Sequence, residues 1–275
     1  MLSKILTKVP GRIFLIVLVA FTLFPIYMAI SASFKPLAQL FSDPLALPNP
    51  ATIKNYITAW VQGNMGQAFM NSVILSVGTT VGIVVTGAPA AYALGKMKFP
   101  GWPFIVAYFF FNNTIPTHVF LPPLYQIFSR LGFVNSLAGM VIIYIARWSP
   151  FAILLMRSYF MKVPQELFEA AKVDGASRWQ AFWQVVFPVA KPGIVTVALI
   201  VTMYSWKQFL LPLTFLNDKA KQPLTVALAN FQGQWTAQWG KMMSSSLLAA
   251  VPMVLLFAFM HRRFIEGLAG TGLKG

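Results

Sequence analysis

The chain contains no cysteine, and its 275 residues include only six acidic residues and two histidines. Without cysteine it forms neither a disulfide scaffold nor a thiolate metal site. The two histidines, His118 and His261, are too few and too far apart to give a recognisable metal-ligand pattern. The sequence therefore predicts that the chain has no metal site.

Carboxylates are absent from every apolar stretch, because the acidic residues all lie in predicted loops: Asp43, Glu166, Glu169, Asp174, Asp218 and Glu266. No carboxylate pair is therefore available inside a membrane for proton coupling. A phosphate-binding loop is missing as well. The nearest approach, Gly87 to Gly95-Lys96, has seven intervening residues and continues with Met97, where the motif needs four and Ser or Thr. We predict that the chain is not an enzyme and holds no cofactor. The energy for any work that it performs must then come from a partner protein or from a solute gradient.

The composition is that of an all-α membrane protein. Charged residues make up 10% of the chain and hydrophobic residues 57%, with a mean hydropathy of +0.68, whereas soluble domains have about 25% charged residues. Crossing a bilayer as a helix takes about 20 residues. Six segments come near or exceed that length, and we predict that they form one transmembrane domain over residues 1–275: 13–33, 70–95, 103–127, 137–157, 190–213 and 244–261.

The first of these segments resembles a secretory signal, because Lys4, Lys8 and Arg12 precede it and small residues follow at 31–33. Its apolar stretch is longer than the roughly 7 to 15 residues of a signal core. We therefore expect a retained helix.

Lysine and arginine are distributed unevenly between the predicted loops, and cytoplasmic loops are the richer ones in membrane proteins. With the N-terminus inside, thirteen lie on the inner side: Lys4, Lys8, Arg12, Lys96, Lys98, Arg157, Lys162, Lys172, Arg178, Lys191, Arg262, Arg263 and Lys274. Six lie on the outer side: Lys35, Lys54, Arg130, Lys219, Lys221 and Lys241. Both termini are therefore predicted to be cytoplasmic.

The net charge of +15 does not indicate a nucleic-acid-binding protein. Nucleic-acid binding needs basic residues clustered on one face, and here they are scattered among short loops at the membrane edges. Water and the headgroups of membrane lipid account for most of them.

Residues 164–188 form a polar segment between two apolar stretches. Their pattern predicts a helix, a glycine break and a second helix on the membrane surface. Gly175 suits the left-handed end of the first helix. Ser177 is placed to cap the second helix, with Gln180 three residues later completing a capping box. We call residues 164–188 the elbow. A rigid elbow exposed to the cytoplasm is suited to transmit force from another protein.

The spacing inside the elbow resembles a family signature. Glu169-Ala170-Ala171, three residues, Gly175, nine residues and then Val185-Val186-Phe187-Pro188 resembles the "EAA" loop of importer-type ABC permeases, whose pattern ends in Ile-x-Leu-Pro. Val185 and Phe187 are conservative departures from it. Four further segments extend the resemblance to maltose-type carbohydrate permeases over almost the whole chain: Asn71-Ser72, Ala90-Ala91-Tyr92-Ala93, Asp174-Gly175-Ala176, and the tail from Gly267-Leu268 to Lys274-Gly275.

The resemblance implies a subunit of a bacterial inner-membrane importer. Its expected partners are a second permease, two copies of a cytoplasmic ATPase that binds ATP and Mg, an extracytoplasmic solute-binding protein and a carbohydrate. The elbow would dock into the ATPase, with Glu169 meeting a basic residue there. Six residues are carried over as coupling residues: Phe168, Glu169, Ala170, Ala171, Asp174 and Gly175. An alternative for Glu169 is an ordinary carboxylate that favours its position on a short surface helix.

Polar side chains inside the predicted spans mark a candidate substrate pathway, because burying them in lipid is costly. Aromatic rings beside hydrogen-bonding groups suit a sugar, which has apolar ring faces and hydroxyl edges. The candidates are Asn112, Asn113, Arg147, Trp148, Tyr204, Lys207 and Gln208. For some of them other roles are open. The asparagines could bond to neighbouring helices or to carbonyls freed by Pro116, and the tryptophan could belong to an interfacial belt.

The fifth predicted span departs from the sugar permeases that the chain resembles. These often carry Trp-Asn-Glu-Phe-Leu, whereas this chain has Trp206-Lys207-Gln208-Phe209-Leu210. One hypothesis is an acidic or phosphorylated sugar attracted by Arg147 and Lys207. The competing hypothesis is a salt bridge from Lys207 to an acidic residue of the partner permease.

The outer loop from about 214 to 243 is the last candidate site. In maltose-type permeases the matching loop reaches into the solute-binding protein, which implies contacts from Gln232, Gly233, Gln234 and Trp235. A simple surface loop is the alternative. For the whole chain, the alternative function is a stand-alone facilitator or secondary carrier for a small polar solute. Such a carrier ought to show inverted halves or intramembrane acids, and the sequence shows neither.

Overall fold

The computed structural model describes residues 8–231 and 238–272, with side chains for all of these except 8–10, 172 and 262–272. Its described part is helical and contains no strand. In chain order the helices are α1 Lys8–Ser33, α2 Leu37–Ser42, α3 Lys54–Gln62, α4 Met65–Lys96, α5 Trp102–Thr114, α6 Thr117–Arg130, α7 Leu137–Lys162, α8 Gln165–Val173, α9 Arg178–Trp206, α10 Leu210–Phe215, α11 Leu224–Ala229 and α12 Trp239–Gly272, with a 3₁₀ turn at Lys219–Lys221.

Among the described residues, five helices are long and apolar enough to cross a membrane. They correspond to five of the six predicted segments: Gly11–Ser33, Met65–Lys96, Leu137–Lys162, Arg178–Trp206 and Trp239–His261. The third predicted segment, 103–127, is not one straight helix. It consists of α5 and α6, between which the chain bends by 102°, so the described part of the chain contains six spans only if this bent pair counts as one.

A proline accounts for the bend between α5 and α6. Pro116 has no N–H to continue the α5 hydrogen-bond ladder, and its ring disfavours helical backbone at the residue before it. Ile115 accordingly has φ −79° and ψ 124°, and Pro116 has φ −61° and ψ 138°. The chain therefore leaves α5 in an extended conformation and starts α6 in a new direction.

The chain forms two compact units, of which the first comprises residues 1–66 and 227–252. In this unit α1 exposes nearly every side chain between residues 11 and 30. Lys35 follows α1 and is fully buried, with Nζ donating to the carbonyls of Asp43 at 3.3 Å and Pro44 at 2.7 Å. Asn55 of α3 donates to the carbonyls of Ser33 and Lys35, both at 2.9 Å. These bonds fix the C-terminal end of α1.

The second unit comprises residues 67–226 and 253–275 and has its core between α4, α7 and α9. Ile83, Tyr144 and Val197, one from each helix, are fully buried there. The helices approach closely, since a Cβ added at Gly193 of α9 would collide with the Tyr159 ring of α7. This packed core holds the candidate site.

The elbow lies in the second unit. Helix α8 ends at Val173, and Gly175 follows with φ +81°, a backbone conformation that L side chains rarely adopt. The capping box is present, because Gln180 N–H donates to Ser177 Oγ at 3.3 Å and Ser177 N–H donates to Gln180 Oε1 at 2.8 Å.

The second helix of the elbow differs from the sequence prediction. It is not a separate surface helix, because α9 runs without a break from Arg178 into the fifth span and ends at Trp206. Residues Phe182–Val186 form a π-helical turn within it. Such turns are bulges in an otherwise continuous α-helix. Arg178 and the fifth span therefore belong to one continuous helix.

Candidate functional site

A cleft of about 800 Å³ opens in the second unit. One face of α7 forms its floor, since the α7 residues in it recur at the spacing of a single helix face. The end of α5 and the end of α9 complete its walls. Its lining residues are Phe110, Asn113, Arg147, Trp148, Phe151, Leu154, Leu155, Ser158, Tyr204, Lys207 and Gln208.

The cleft brings together six of the seven pathway candidates: Asn113, Arg147, Trp148, Tyr204, Lys207 and Gln208. The seventh, Asn112, lies in a smaller cavity of about 260 Å³ that also borders Arg147 and Thr117. Residues separated by almost a hundred positions thus share one surface. That surface has both aromatic and polar members, as a sugar-binding surface requires.

Arg147 stands between the two cavities and lines both. Its side chain is half-buried, and Nε donates to Oγ1 of Thr117 at 2.9 Å. Thr117 is the first residue of α6, immediately after the bend at Pro116. The bend therefore supplies the hydroxyl that orients the arginine.

The sequence predicts that Lys207 lies inside the fifth span. In the structure it lies at the end of that span, as the residue that caps α9. Helix α9 ends at Trp206, and the N–H of Lys207 still bonds to the Met203 carbonyl at 3.2 Å. The ammonium Nζ lies 4.9 Å from the centre of the Tyr204 ring, within cation–π range. A cation is also favoured here because the C-terminal end of a helix carries partial negative charge.

Aromatic rings form a continuous row along the cleft. Trp148 lies 4.7 Å from Tyr144 and 6.3 Å from Tyr204, and Phe151 lies 5.8 Å from Tyr204, measured between ring centroids. Trp148 is only 8% exposed, so it is packed within the unit and does not stand out from it as an interfacial belt residue would. Trp148, Phe151 and Tyr204 line the cleft and can contact a ligand there, whereas Tyr144 is fully buried behind them.

Asn113 bonds within its own helix. Its Nδ2 donates to the carbonyl of Phe109 at 2.9 Å, one turn back along α5. Gln208 lies at the opposite wall, where its main-chain carbonyl accepts from Oγ1 of Thr225 at 2.7 Å and its side-chain Oε1 accepts from the N–H of Phe209 at 3.0 Å. The side-chain oxygen of Asn113 and the side-chain nitrogen of Gln208 can still bond to a ligand in the cleft.

Several lining residues escaped the sequence analysis. Phe151 and Ser158 follow Arg147 at four and eleven positions, so helical periodicity from Arg147 could have found them. Phe110 and Thr117 lie beside Arg147 only because α5 and α6 bend at Pro116. No spacing in the sequence indicates that proximity.

The elbow presents four of its six predicted coupling residues to solvent: Glu169, Ala170, Asp174 and Gly175. Ala171 is nearly buried and Phe168 is 4% exposed, with its ring 6.3 Å from that of Tyr92. The Tyr92 hydroxyl donates to the carbonyl of Arg178 at 3.2 Å. Phe168 is thus not part of the outer surface. It anchors α8 to α4.

A groove of about 420 Å³ lies between the two helices of the elbow. Ala170, Asp174, Gly175 and Gln184 are among its lining residues, whereas Glu169 lies outside it. The elbow therefore offers a concave surface of mixed polar and apolar side chains beside an exposed carboxylate.

Two other sequence predictions concern the outer loop and metal binding. Gln232, Gly233, Gln234 and Trp235 lie outside the described residues, so the predicted contact with a solute-binding protein stays a prediction. Within the part of the chain that is described, no group of three or more His, Cys, Asp or Glu side chains is placed to hold a metal ion.

Known proteins similar to this chain are transport permeases. The chain is 32% identical over 253 residues to the diacetylchitobiose uptake system permease protein NgcG of Streptomyces coelicolor, covering 91% of this chain and 82% of that protein. It is 32% identical over 259 residues to the trehalose transport system permease protein SugB of Mycobacterium tuberculosis, covering 94% of each.

The fold agrees with a solved structure of the same kind. A chain in the crystal structure of a bacterial ABC transporter involved in the import of the acidic polysaccharide alginate superposes with a TM-score of 0.83 at 22% identity, covering 95% of this chain and 98% of that one. Residues 84–268 match the family described as "Binding-protein-dependent transport system inner membrane component". The chain therefore belongs to this family of inner-membrane transport permeases.

Proposed function

We propose that this chain is a permease subunit of an ATP-driven ABC importer, and that it forms the pathway for a carbohydrate together with a second permease. The cleft is the observation that carries this proposal. Its row of rings from Trp148 to Tyr204 matches the apolar faces of sugar rings, and its amides and cations match their hydroxyl edges. The similar permeases from Streptomyces and Mycobacterium are named for diacetylchitobiose and trehalose.

A second permease completes the pathway in this proposal. The cleft is open to its surroundings in the single chain. An open cleft of this kind suits a second membrane subunit that covers it. The two subunits would then enclose the sugar between them.

ATP hydrolysis takes place in separate subunits on this account, since the sequence has no phosphate-binding loop. Two copies of a cytoplasmic ATPase bind ATP and Mg and dock against the elbow. Exposed Glu169 meets a basic residue of the ATPase, and the elbow groove receives a side chain or helix end from it. Because α9 is continuous, closure of the ATPase pair is transmitted from Arg178 to the cleft at Tyr204 and Lys207.

The proposed orientation follows from the uneven distribution of lysine and arginine between the loops. Both termini and the elbow face the cytoplasm of a bacterium, and the chain acts as one domain in the inner membrane. An extracytoplasmic solute-binding protein delivers the sugar to the outer side, with Gln232 to Trp235 in the loop that meets it. No observation favours the stand-alone carrier.

Uptake by cells tests the proposal. In a strain lacking this gene, we expect ATP-dependent uptake of at least one radiolabelled di- or trisaccharide to disappear and to return with the wild-type gene. Tyr204→Ala should restore about two- to tenfold less uptake at equal protein level, because a stacked ring contributes about 0.5–1.5 kcal/mol. Tyr108→Ala is the matched control, since Tyr108 is 61% exposed and lies outside the cleft.

Two results would contradict the proposal. Uptake of every tested sugar would be unaffected by the deletion, or uptake would persist after ATP depletion and collapse with an ion gradient. The second result would establish a secondary carrier instead.

A further inference from the structure

The charged residues that line the cleft are both positive. Arg147 and Lys207 both line it, and no acidic residue is among its lining residues. The acidic side chains that the structure describes lie elsewhere: Asp43, Glu166, Glu169, Asp174 and Asp218. Neither cation forms an ion pair with a described carboxylate. Within the described part of this chain, the cleft therefore has two positive charges that no carboxylate neutralises.

The arginine is held in place for a ligand. Its Nε is occupied by Thr117, and this bond sets the plane of the guanidinium. A guanidinium has five N–H donors and pairs with carboxylates and phosphates through two parallel hydrogen bonds. Since Arg147 borders both cavities, its terminal nitrogens remain next to open space.

The lysine is oriented in a similar way. Its ammonium lies against the Tyr204 ring, which keeps the charge inside the cleft and next to an aromatic surface. The helix end explains why a cation is tolerated at position 207. The helix end alone does not determine which way the side chain turns. Lys207 nevertheless lines the cleft.

A ligand with only hydroxyl groups would leave both charges without a counter-charge once the pathway closes and water is excluded, and an unpaired buried charge is costly. A sugar with an anionic substituent removes that cost. Its ring face fits the aromatic row, and its anionic group fits the space between the two cations.

We infer that the cleft selects an anionic carbohydrate, with Trp148 and Tyr204 contacting the sugar rings and Arg147 and Lys207 pairing with a carboxylate or phosphate on it. This inference rests on the proposed function and narrows its substrate class. An acidic residue from the partner permease is the competing explanation for the two cations.

Equilibrium dialysis with the purified complete complex tests the inference. The probes are matched pairs: trigalacturonate against galactotriose, and glucose 6-phosphate against glucose. We expect the anionic member of at least one pair to bind about tenfold more tightly at low salt, and the preference to shrink as salt screens the charges. The pair that shows the preference identifies the anionic group.

Three variants locate the effect. Lys207→Gln and Arg147→Gln should each bring the two members of the pair to within about threefold of each other. Lys207→Arg should retain the preference because it keeps the charge. Lys219→Gln is the control, since it removes one exposed positive charge outside the cleft.

Equal binding of anionic and neutral sugars by the wild type would overturn the inference and leave the proposed function standing. Loss of the partner permease from the Lys207→Gln complex, seen by native mass spectrometry, would overturn it in favour of a salt bridge between subunits. Binding of no sugar at all would contradict the proposed function as well.

Discussion

At the scale of single residues, a few buried polar side chains determine where a connecting loop lies. Asn71 is fully buried in α4, and its Nδ2 donates to the carbonyls of Ala220 at 2.8 Å and Gln222 at 3.0 Å. Ser72 Oγ accepts from the N–H of Leu224 at 2.9 Å. These hydrogen bonds fasten the loop at residues 220–224 to α4.

Removing this fastening should loosen the loop. Asn71→Ala removes the side-chain donor that bonds to two loop carbonyls, which costs about 1–3 kcal/mol. We expect amide hydrogen exchange in residues 216–224 to become at least about tenfold faster in the purified complex. Asn113→Ala is the control, since Asn113 bonds only one turn back in its own helix. Unchanged exchange in residues 216–224 would refute this role for Asn71.

Close packing of α7 on α9 depends on a glycine. A methyl group at Gly193 would meet the Tyr159 ring, and overpacking of this kind costs about 1–3 kcal/mol. Gly193→Ala should lower the thermal midpoint of the complex. Gly95→Ala is the matched control, because a Cβ there makes only ordinary contacts at 3.5 Å and beyond. Alanine favours a helix by about 0.5–1 kcal/mol over glycine, so Gly95→Ala should be neutral or stabilising. A Gly193→Ala complex as stable as the wild type would show that α7 and α9 shift apart freely.

The sequence was informative at this scale where a polar residue interrupts an apolar stretch. Arg147, Tyr204 and Lys207 could be selected on that ground, and they share the cleft. The Arg147 partner could not be selected, because Thr117 looks like any helix-starting threonine. Asn71 also gave no hint of its partners, which lie about 150 positions away in the sequence.

At the scale of elements, proline shows why the helix count could not be settled from sequence. Pro116 and Pro150 both interrupt apolar stretches, but the chain bends by 102° at the first and continues as one helix through the second. Pro150 is buried in the packed core, whereas Pro116 is exposed. Packing on both sides of Pro150 outweighs the lost hydrogen bond, and no such packing supports Pro116.

Local signals were sufficient for the elbow. The glycine turn and the capping box depend on residues within a few positions of each other, so Gly175, Ser177 and Gln180 could be identified directly. The continuity of α9 could not, because Pro188 suggests a helix boundary and the π-turn at Phe182–Val186 has no sequence pattern.

The elbow turn gives a prediction at this scale. Gly175→Ala places a side chain at φ +81°, which costs about 1–2 kcal/mol although the space around it is open. We expect faster hydrogen exchange across residues 165–186 and weaker coupling of ATP hydrolysis to uptake. Gly175→Asn should be milder, since asparagine tolerates this conformation better. Equal effects of both variants would show that backbone strain is not the cause.

At the scale of the whole molecule, the proposed function requires partner subunits. The cleft is open, α1 exposes apolar side chains along its length, and the elbow exposes a carboxylate and a groove on its surface. Each surface suits a different partner: a second permease, lipid, and an ATPase. The fold class followed from composition, but these partner surfaces required the packed structure, because burial decides which residues of an element face outward.

Native mass spectrometry of the complex, extracted gently from its own membrane, tests the central claim most directly. Glu169→Lys is compared with Asp43→Lys, which reverses an exposed charge far from the elbow in sequence. The account predicts this chain together with a second permease and two ATPase copies, with the ATPase lost on reversal of Glu169 and retained on reversal of Asp43. A lone monomer or homodimer, indifferent to Glu169, would contradict the importer and put a stand-alone carrier in its place.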